Sequence, residues 1–143
     1  MRVDFYILES SNPGGRMQFA CRLMEKAYGL ENTVYAHTAT AADAHELDDL
    51  LWTFRQGSFI PHERVGMASS SSSAPVRIGT PEECAAEGDL LINLDHTVPD
   101  FAGSFSRVAE IIGGDAATVQ AGRARFKHYR DQGIEPVTHK IPG

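Results

Sequence analysis

Strand-like and helix-like runs alternate along this chain, and few folds accommodate that order. Val3-Asp4-Phe5-Tyr6-Ile7-Leu8 is rich in residues that favour strands. Turn chemistry follows at Ser10-Ser11-Asn12-Pro13-Gly14-Gly15. Met17, Ala20, Cys21, Leu23, Met24 and Ala27 then recur at helical spacing, and Gly29 ends the run. Thr33-Val34-Tyr35-Ala36 reads as a second strand. Thr40 caps a second helix with Ala44, Leu47, Leu50, Leu51 and Phe54 on its apolar face. A strand–helix–strand–helix order favours a parallel sheet with right-handed crossovers, because parallel strands need a crossover and a helix supplies it.

The rest of the chain extends this pattern less regularly. Residues 55–75 read as a loop, flexible over about residues 66–74, where Ser69 to Ser73 form an unbroken serine run. Pro75-Val76-Arg77-Ile78-Gly79 is a strand, and Pro81-Glu82-Glu83 a helix start or turn. Asp89-Leu90-Leu91-Ile92-Asn93-Leu94 is the most apolar strand. It is expected at the centre, because strands buried on both faces lose their alternation. Asp100 or Ser104 is expected to start a helix through Phe105, Val108, Ile111 and Ile112, stopped by Gly113-Gly114. Asp115 caps a last helix to about Gln132, Gly133 ends it, and Ile134 to His139 can form a final strand.

At 143 residues this is expected to be a single α/β domain, residues 1–143. The formal net charge of −6 argues against a general grip on DNA, whose affinity comes from neutralising phosphates. Cys21 and Cys84 cannot make a disulfide framework or a four-ligand zinc site, and read as buried or idle thiols. No stretch reads as a signal peptide and none approaches 18 apolar residues, so the expected location is the cytoplasm.

Catalytic and metal chemistry finds little support. The Gly14-Gly15 loop lacks the Gly-x-x-x-x-Gly-Lys-Ser/Thr and Gly-x-Gly-x-x-Gly patterns that cradle phosphates. The six histidines are scattered without the i, i+4 spacing of a helical metal pair, and each reads as a surface or loop residue. No Gly-x-Ser-x-Gly elbow is present. Asp89, Asp95 and Asp100 flank the apolar strand and read as caps and solvated turns. No catalytic residue, metal or cofactor is therefore expected. The alternative is a small α/β enzyme that binds a nucleotide or phosphorylated metabolite near Gly14-Gly15 and Asp95.

Two segments stand out. In the last helix Arg123, Arg125, Lys127 and Arg130 fall within eight positions, with no acid between Asp115 and Asp131. Arg123, Lys127 and Arg130 share one face at i, i+4, i+7, with Phe126 among them. Cations around an aromatic ring suit an acidic peptide with an apolar anchor, a carboxylate near an apolar pocket, or phosphates. They also suit a solvated helix whose terminal cations oppose the macrodipole. The second segment joins Leu47-Asp48-Asp49-Leu50-Leu51-Trp52 and Phe54 to Ser58-Phe59-Ile60-Pro61-His62. It reads either as a lid on the core or as an aromatic anchor for a partner.

These segments resemble the chi subunit family of bacterial DNA polymerase III holoenzyme. The matching residues are Phe5-Tyr6, Leu47-Asp48 through Leu51-Trp52, Ser58-Phe59-Ile60-Pro61-His62, Ala74-Pro75-Val76, Asp89 through Leu94, Asp100-Phe101-Ala102 with Phe105, and Ala124-Arg125-Phe126-Lys127-His128-Tyr129-Arg130 with Gly133. They run in order along nearly the whole chain.

The resemblance implies a Rossmann-like three-layer α/β sandwich, a mostly parallel sheet flanked by helices, without a nucleotide site. It implies an accessory subunit and not a catalyst. The partners it implies are the psi subunit, which tethers chi to the clamp loader, and the acidic, Phe-terminated C-terminal tail of the single-stranded-DNA-binding protein. DNA contact is then indirect. Arg123, Phe126 and Lys127 match the family's tail-binding positions, with Arg130 on the same face. Phe126 replaces the more familiar Tyr, and Val119 stands where a further Lys can occur. Trp52, Phe59 and Pro61 match the psi-facing surface, a face the resemblance also assigns to a repair helicase.

Overall fold

A computed structural model describes residues 1–9, 14–53, 61–64, 75–81 and 88–142. Its elements in chain order are β1 (Arg2–Leu8), α1 (Gly15–Gly29), β2 (Val34–Thr38), α2 (Ala41–Thr53), β3 (His62–Arg64), β4 (Val76–Gly79), β5 (Gly88–Leu94), a 3-10 turn (Asp100–Ser104), β6 (Phe105–Ile112), α3 (Ala116–Asp131) and β7 (Val137–Ile141). The strands form one seven-stranded sheet in the order β3-β4-β2-β5-β6-β1-β7. Every pairing in it is parallel.

The expected α/β class and parallel sheet are therefore present, with β5 fourth of the seven strands. Strand parity builds two cores. Val34, Ala36, Leu90, Ile92, Leu94, Ala109 and Ile111 face α1 and α2, which bury Ala20, Cys21 and Met24, and Ala44, Leu47 and Leu51, against them. Val3, Phe5, Tyr35, Leu91, Val108 and Ile112 face the other way, toward the 3-10 turn and Tyr129 of α3. Helices thus cover both faces, which an all-parallel sheet requires.

Local chemistry sets the helix ends. The Thr40 hydroxyl accepts a hydrogen bond from the Asp43 amide at 3.1 Å, as its reading as a cap requires. Gly133 closes α3 in the left-handed region (φ 83°). There the Gly133 and Ile134 amides donate to the Arg130 and Tyr129 carbonyls, each at 3.0 Å.

Two expectations need correction. Phe105 to Ile112 is a strand, not a helix. Phe105, Val108, Ile111 and Ile112 imitate helical spacing, but β6 lies between β5 and β1. Both its faces are buried from Val108 to Ile112, and Val and Ile suit that pleated surface. The buried Glu110 interrupts the apolar run and disguises it. Within the segment read as a loop, His62–Arg64 forms a short strand against β4. Three residues carry too little periodicity to reveal a strand. The serine run, Phe54, Cys84 and Glu82-Glu83 lie outside the described residues.

Candidate functional site

Helix α3 positions the candidate site, and its sequence divides it into two faces. Asp115 caps it, accepting from the Thr118 amide at 3.1 Å. A bond from the Thr118 hydroxyl, together with that amide bond, holds the Asp115 carboxyl below its ordinary value. Gly122, Arg125 and Tyr129 recur every three or four positions and are buried. Arg123, Lys127 and Arg130 are exposed.

The inner face closes on Glu110 of β6, which is wholly buried. Arg125 Nε donates to Glu110 Oε1 at 2.7 Å and Arg125 Nη1 to the His96 carbonyl at 3.1 Å. Tyr129 Oη donates to Glu110 Oε2 at 2.7 Å, as does Asn93 Nδ2 at 2.9 Å. Burial pushes the Glu110 carboxyl above its ordinary value, although Arg125, Asn93 and Tyr129 all favour its ionised form. Burial beside Glu110 likewise pushes the Tyr129 phenol up. Asn93 Oδ1 then accepts from the Asp95 amide, and Asp95 Oδ2 lies 3.1 Å from His37 Nε2. His37 is buried, as is the His62 side chain, 3.0 Å from Asp48. These two histidines depart from the surface or loop reading. His45, by contrast, forms an exposed pair with Asp49.

The outer face borders a cleft of about 320 Å³. Val119, Gly122, Arg123 and Phe126 line one side; Phe5 and Ile7 of β1, Ile112 of β6 and Thr138 of β7 line the other. Phe126 is half-buried, its ring centroid 5.1 Å from that of Phe5. Gly122 lets α3 approach β6 closely, because a Cβ there would run into Ile112 Cδ1. Three of the five residues expected for a tail site, Val119, Arg123 and Phe126, thus share one cleft. Lys127 and Arg130 stand outside its lining, and Lys127 pairs with Asp131 at 3.6 Å. Phe5, Ile7, Ile112 and Thr138 escaped the reading of the helix alone. The odd parity of Phe5 and Ile7 on β1 was the available signal.

The second segment lies on the opposite side of the sheet. Trp52 is 53% exposed at the end of α2 and does not itself close over the core. Its ring lies 4.6 Å from the buried His62 ring. A groove of about 580 Å³ runs beside it between Met17 and Gln18 of α1 and Glu46, Asp49 and Leu50 of α2. Pro61 is half-buried next to His62, and Phe59 lies outside the described residues.

Other candidates are accounted for locally. Asp89 accepts from the Thr33 amide at 2.8 Å. Burial pushes the Cys21 thiol up to about 12, which suits an inert core residue. Among the described residues no three His, Cys, Asp or Glu side chains are grouped to hold a metal, and no helix is long and apolar enough to cross a membrane.

Residues 1–137 match the profile of the family described as DNA polymerase III chi subunit, HolC. The chain is 45% identical over 141 residues to DNA polymerase III subunit chi of Pseudomonas aeruginosa, covering 99% of this chain and 97% of that one. It is 31% identical to the subunit of the same name in Haemophilus influenzae, covering 97% and 96% of the two chains. Against the one in Escherichia coli it is 28% identical, covering 92% of each. Among solved structures, T4 UvsW superposes with a TM-score of 0.69 at 8% identity. Saccharomyces cerevisiae Dbp5 bound to RNA and ADP BeF3 superposes with a TM-score of 0.63 at 16% identity. Each match covers 98% of this chain but only 42% and 41% of the other, and shows a shared fold alone.

Proposed function

Because the chain belongs to the DNA polymerase III chi subunit family, we propose that it serves the holoenzyme as a non-catalytic adaptor, joining the clamp loader, through the psi subunit, to the acidic C-terminal tail of the single-stranded-DNA-binding protein. One observation carries the tail assignment. The cleft that borders α3 combines an apolar floor with an exposed guanidinium at its edge. A peptide ending in Phe presents an aromatic ring and a carboxylate together. Phe5, Ile7, Val119 and Phe126 suit the ring, and Arg123 suits the carboxylate. Lys127 and Arg130, further along the helix, suit the preceding Asp residues of such a tail. On this reading the psi subunit, and a repair helicase in its place, meets the surface of Trp52, Phe59 and Pro61, where an exposed indole offers the apolar anchor that interface centres favour.

Titration with a fluorescent tail peptide tests the tail assignment. Binding should weaken as salt rises, because exposed charges are screened. Arg123→Ala combined with Lys127→Ala should lower affinity at least about tenfold, the effect of losing one charge-assisted hydrogen bond. Its melting temperature should stay unchanged. Equal affinity for the double variant overturns the assignment.

A further inference from the structure

A second cleft, of about 330 Å³, lies on the α1 face of the sheet, away from α3. Register places Arg2, Asp4 and Tyr6 of β1 opposite Arg107, Ala109 and Ile111 of β6, all on that face. The last turns of α1 contribute Leu23, Lys26 and Ala27, and Leu30 follows at its C-cap. Leu30 is 65% exposed there, the most exposed large apolar side chain among the described residues.

Asp4 organises the cations. It is wholly buried and accepts from Arg2 Nε and from Arg107 Nε, each at 3.2 Å, while His139 Nε2 lies 2.9 Å away. Burial alone would push its carboxyl up, but the bonds from His139, Arg107 and Arg2 outweigh that and hold it below its ordinary value. One carboxylate therefore pins two guanidiniums through their Nε atoms. Of their outer Nη atoms, Arg107 Nη2 alone among the described residues has a partner, the Tyr6 hydroxyl at 3.4 Å. Lys26 makes no ion pair among the described residues. Asp89 also lines the cleft, but its carboxylate is engaged by Thr33. Three cations thus surround a cleft with an apolar side at Leu23, Ala27 and Leu30, in a chain of net charge −6, and two of them are already ordered, which lowers the entropy cost of binding.

We propose that this cleft binds an organic oxyanion, a phosphate or carboxylate on a compact apolar body, with the oxyanion held by Arg2, Arg107 and Lys26 and the body against Leu23, Ala27 and Leu30. The assignment is independent of the tail site.

Amide and Arg Nε chemical shifts of the full chain test it during titration with phenyl phosphate, phenylacetate, benzyl alcohol and inorganic phosphate. Phenyl phosphate or phenylacetate should saturate shifts at Lys26, Leu30, Ala109 and the Nε groups of Arg2 and Arg107. The tighter of the two identifies the oxyanion. Lys26→Gln removes a side chain with no ion pair to lose, so it should weaken binding at least about fivefold without changing the melting temperature. Leu30→Ser should weaken both organic anions and leave inorganic phosphate unchanged. Arg123→Ala should leave the shifts at Leu30 intact. Benzyl alcohol binding as tightly as the anions overturns the proposal. So does the absence of any saturable shift at Leu30, or an equal response at Arg123 and Lys127.

Discussion

Arg123 and Arg125 stand two residues apart on one helix and meet opposite fates. Two helical positions turn the side chain by roughly 200°, so one guanidinium faces water and the other the sheet. Arg125 is buried against Glu110, with Tyr129 and Asn93 completing the carboxylate's hydrogen bonds. Arg123 is exposed beside the apolar cleft. The inner face of α3 spends its charge on holding the helix to β6; the outer face keeps its charge available. Separating those roles allows the outer residues to change without loosening the helix.

The largest expected effect tests the inner face. Arg125→Met leaves Glu110 buried without its cation, and should destabilise the protein by about 3–5 kcal/mol in urea unfolding. Arg125→Met combined with Glu110→Leu should recover part of that loss, since an apolar pair of similar volume removes the stranded charge. A loss no larger than that of an exposed arginine would show the two faces to be energetically alike.

Phe126 lies between the two roles, half-buried against Phe5 yet lining the cleft. Phe126→Ala should cost about 1–2 kcal/mol of stability, less than a fully buried ring. It should lower tail-peptide affinity at least about tenfold. Phe126→Tyr should keep both, because the hydroxyl can point out of the cleft. Stability loss without loss of binding would move Phe126 wholly to the inner, structural side.

The inner network also has a pH signature through His37, which it reaches by way of Asn93 and Asp95. Burial among Tyr35 and Phe101 holds the imidazole below its ordinary value of about 6.5, although Asp95 pulls the other way. A depressed folded value means the unfolded chain takes up the proton first. Stability from this group is thus present above about pH 6.5 and falls as pH drops from there through the folded value. Glu110 acts with the opposite sign, its raised value removing stability as pH rises through it. Comparing His37→Gln with the parent cancels the Glu110 contribution. The variant should lose stability less steeply between pH 7 and 5 in urea titrations. Parallel curves would show that His37 is protonated equally in both states.

Much of this arrangement is legible in the sequence, and the failures have physical causes. The first four elements follow from periodicity and turn residues, and Asp115 and Gly133 mark the ends of α3. Residues 105–112 mislead because a strand buried on both faces need not alternate, and Glu110 imitates a polar helix position. The cations of α3 are visible as a pattern, and the spacing separates Arg125 from the other three. The cleft itself is not visible. Half its wall comes from β1, β6 and β7, which only the sheet register brings beside Val119 and Phe126. The burial of His37 depends likewise on Phe101, 64 residues away in the chain.

The smallest expected effect concerns the outer face. Lys127 pairs with Asp131 one turn on, at 3.6 Å, with both side chains largely in water. Exposed i, i+4 pairs stabilise helices by about 0.3–0.5 kcal/mol and are weakened by salt. Holding two long side chains in one geometry also costs entropy, so the net contribution approaches zero. Lys127→Ala should therefore leave urea stability within about 0.5 kcal/mol of the parent, helped by alanine's high helix propensity. Tail-peptide affinity should fall a few-fold at low salt, and the difference should shrink as salt is added. Asp131→Asn sharpens the point, because it frees Lys127 from its neighbour and should strengthen tail binding where Lys127→Ala weakens it. If both substitutions weaken binding alike, the pair is a structural unit, and Lys127 belongs with Arg125 and not with Arg123.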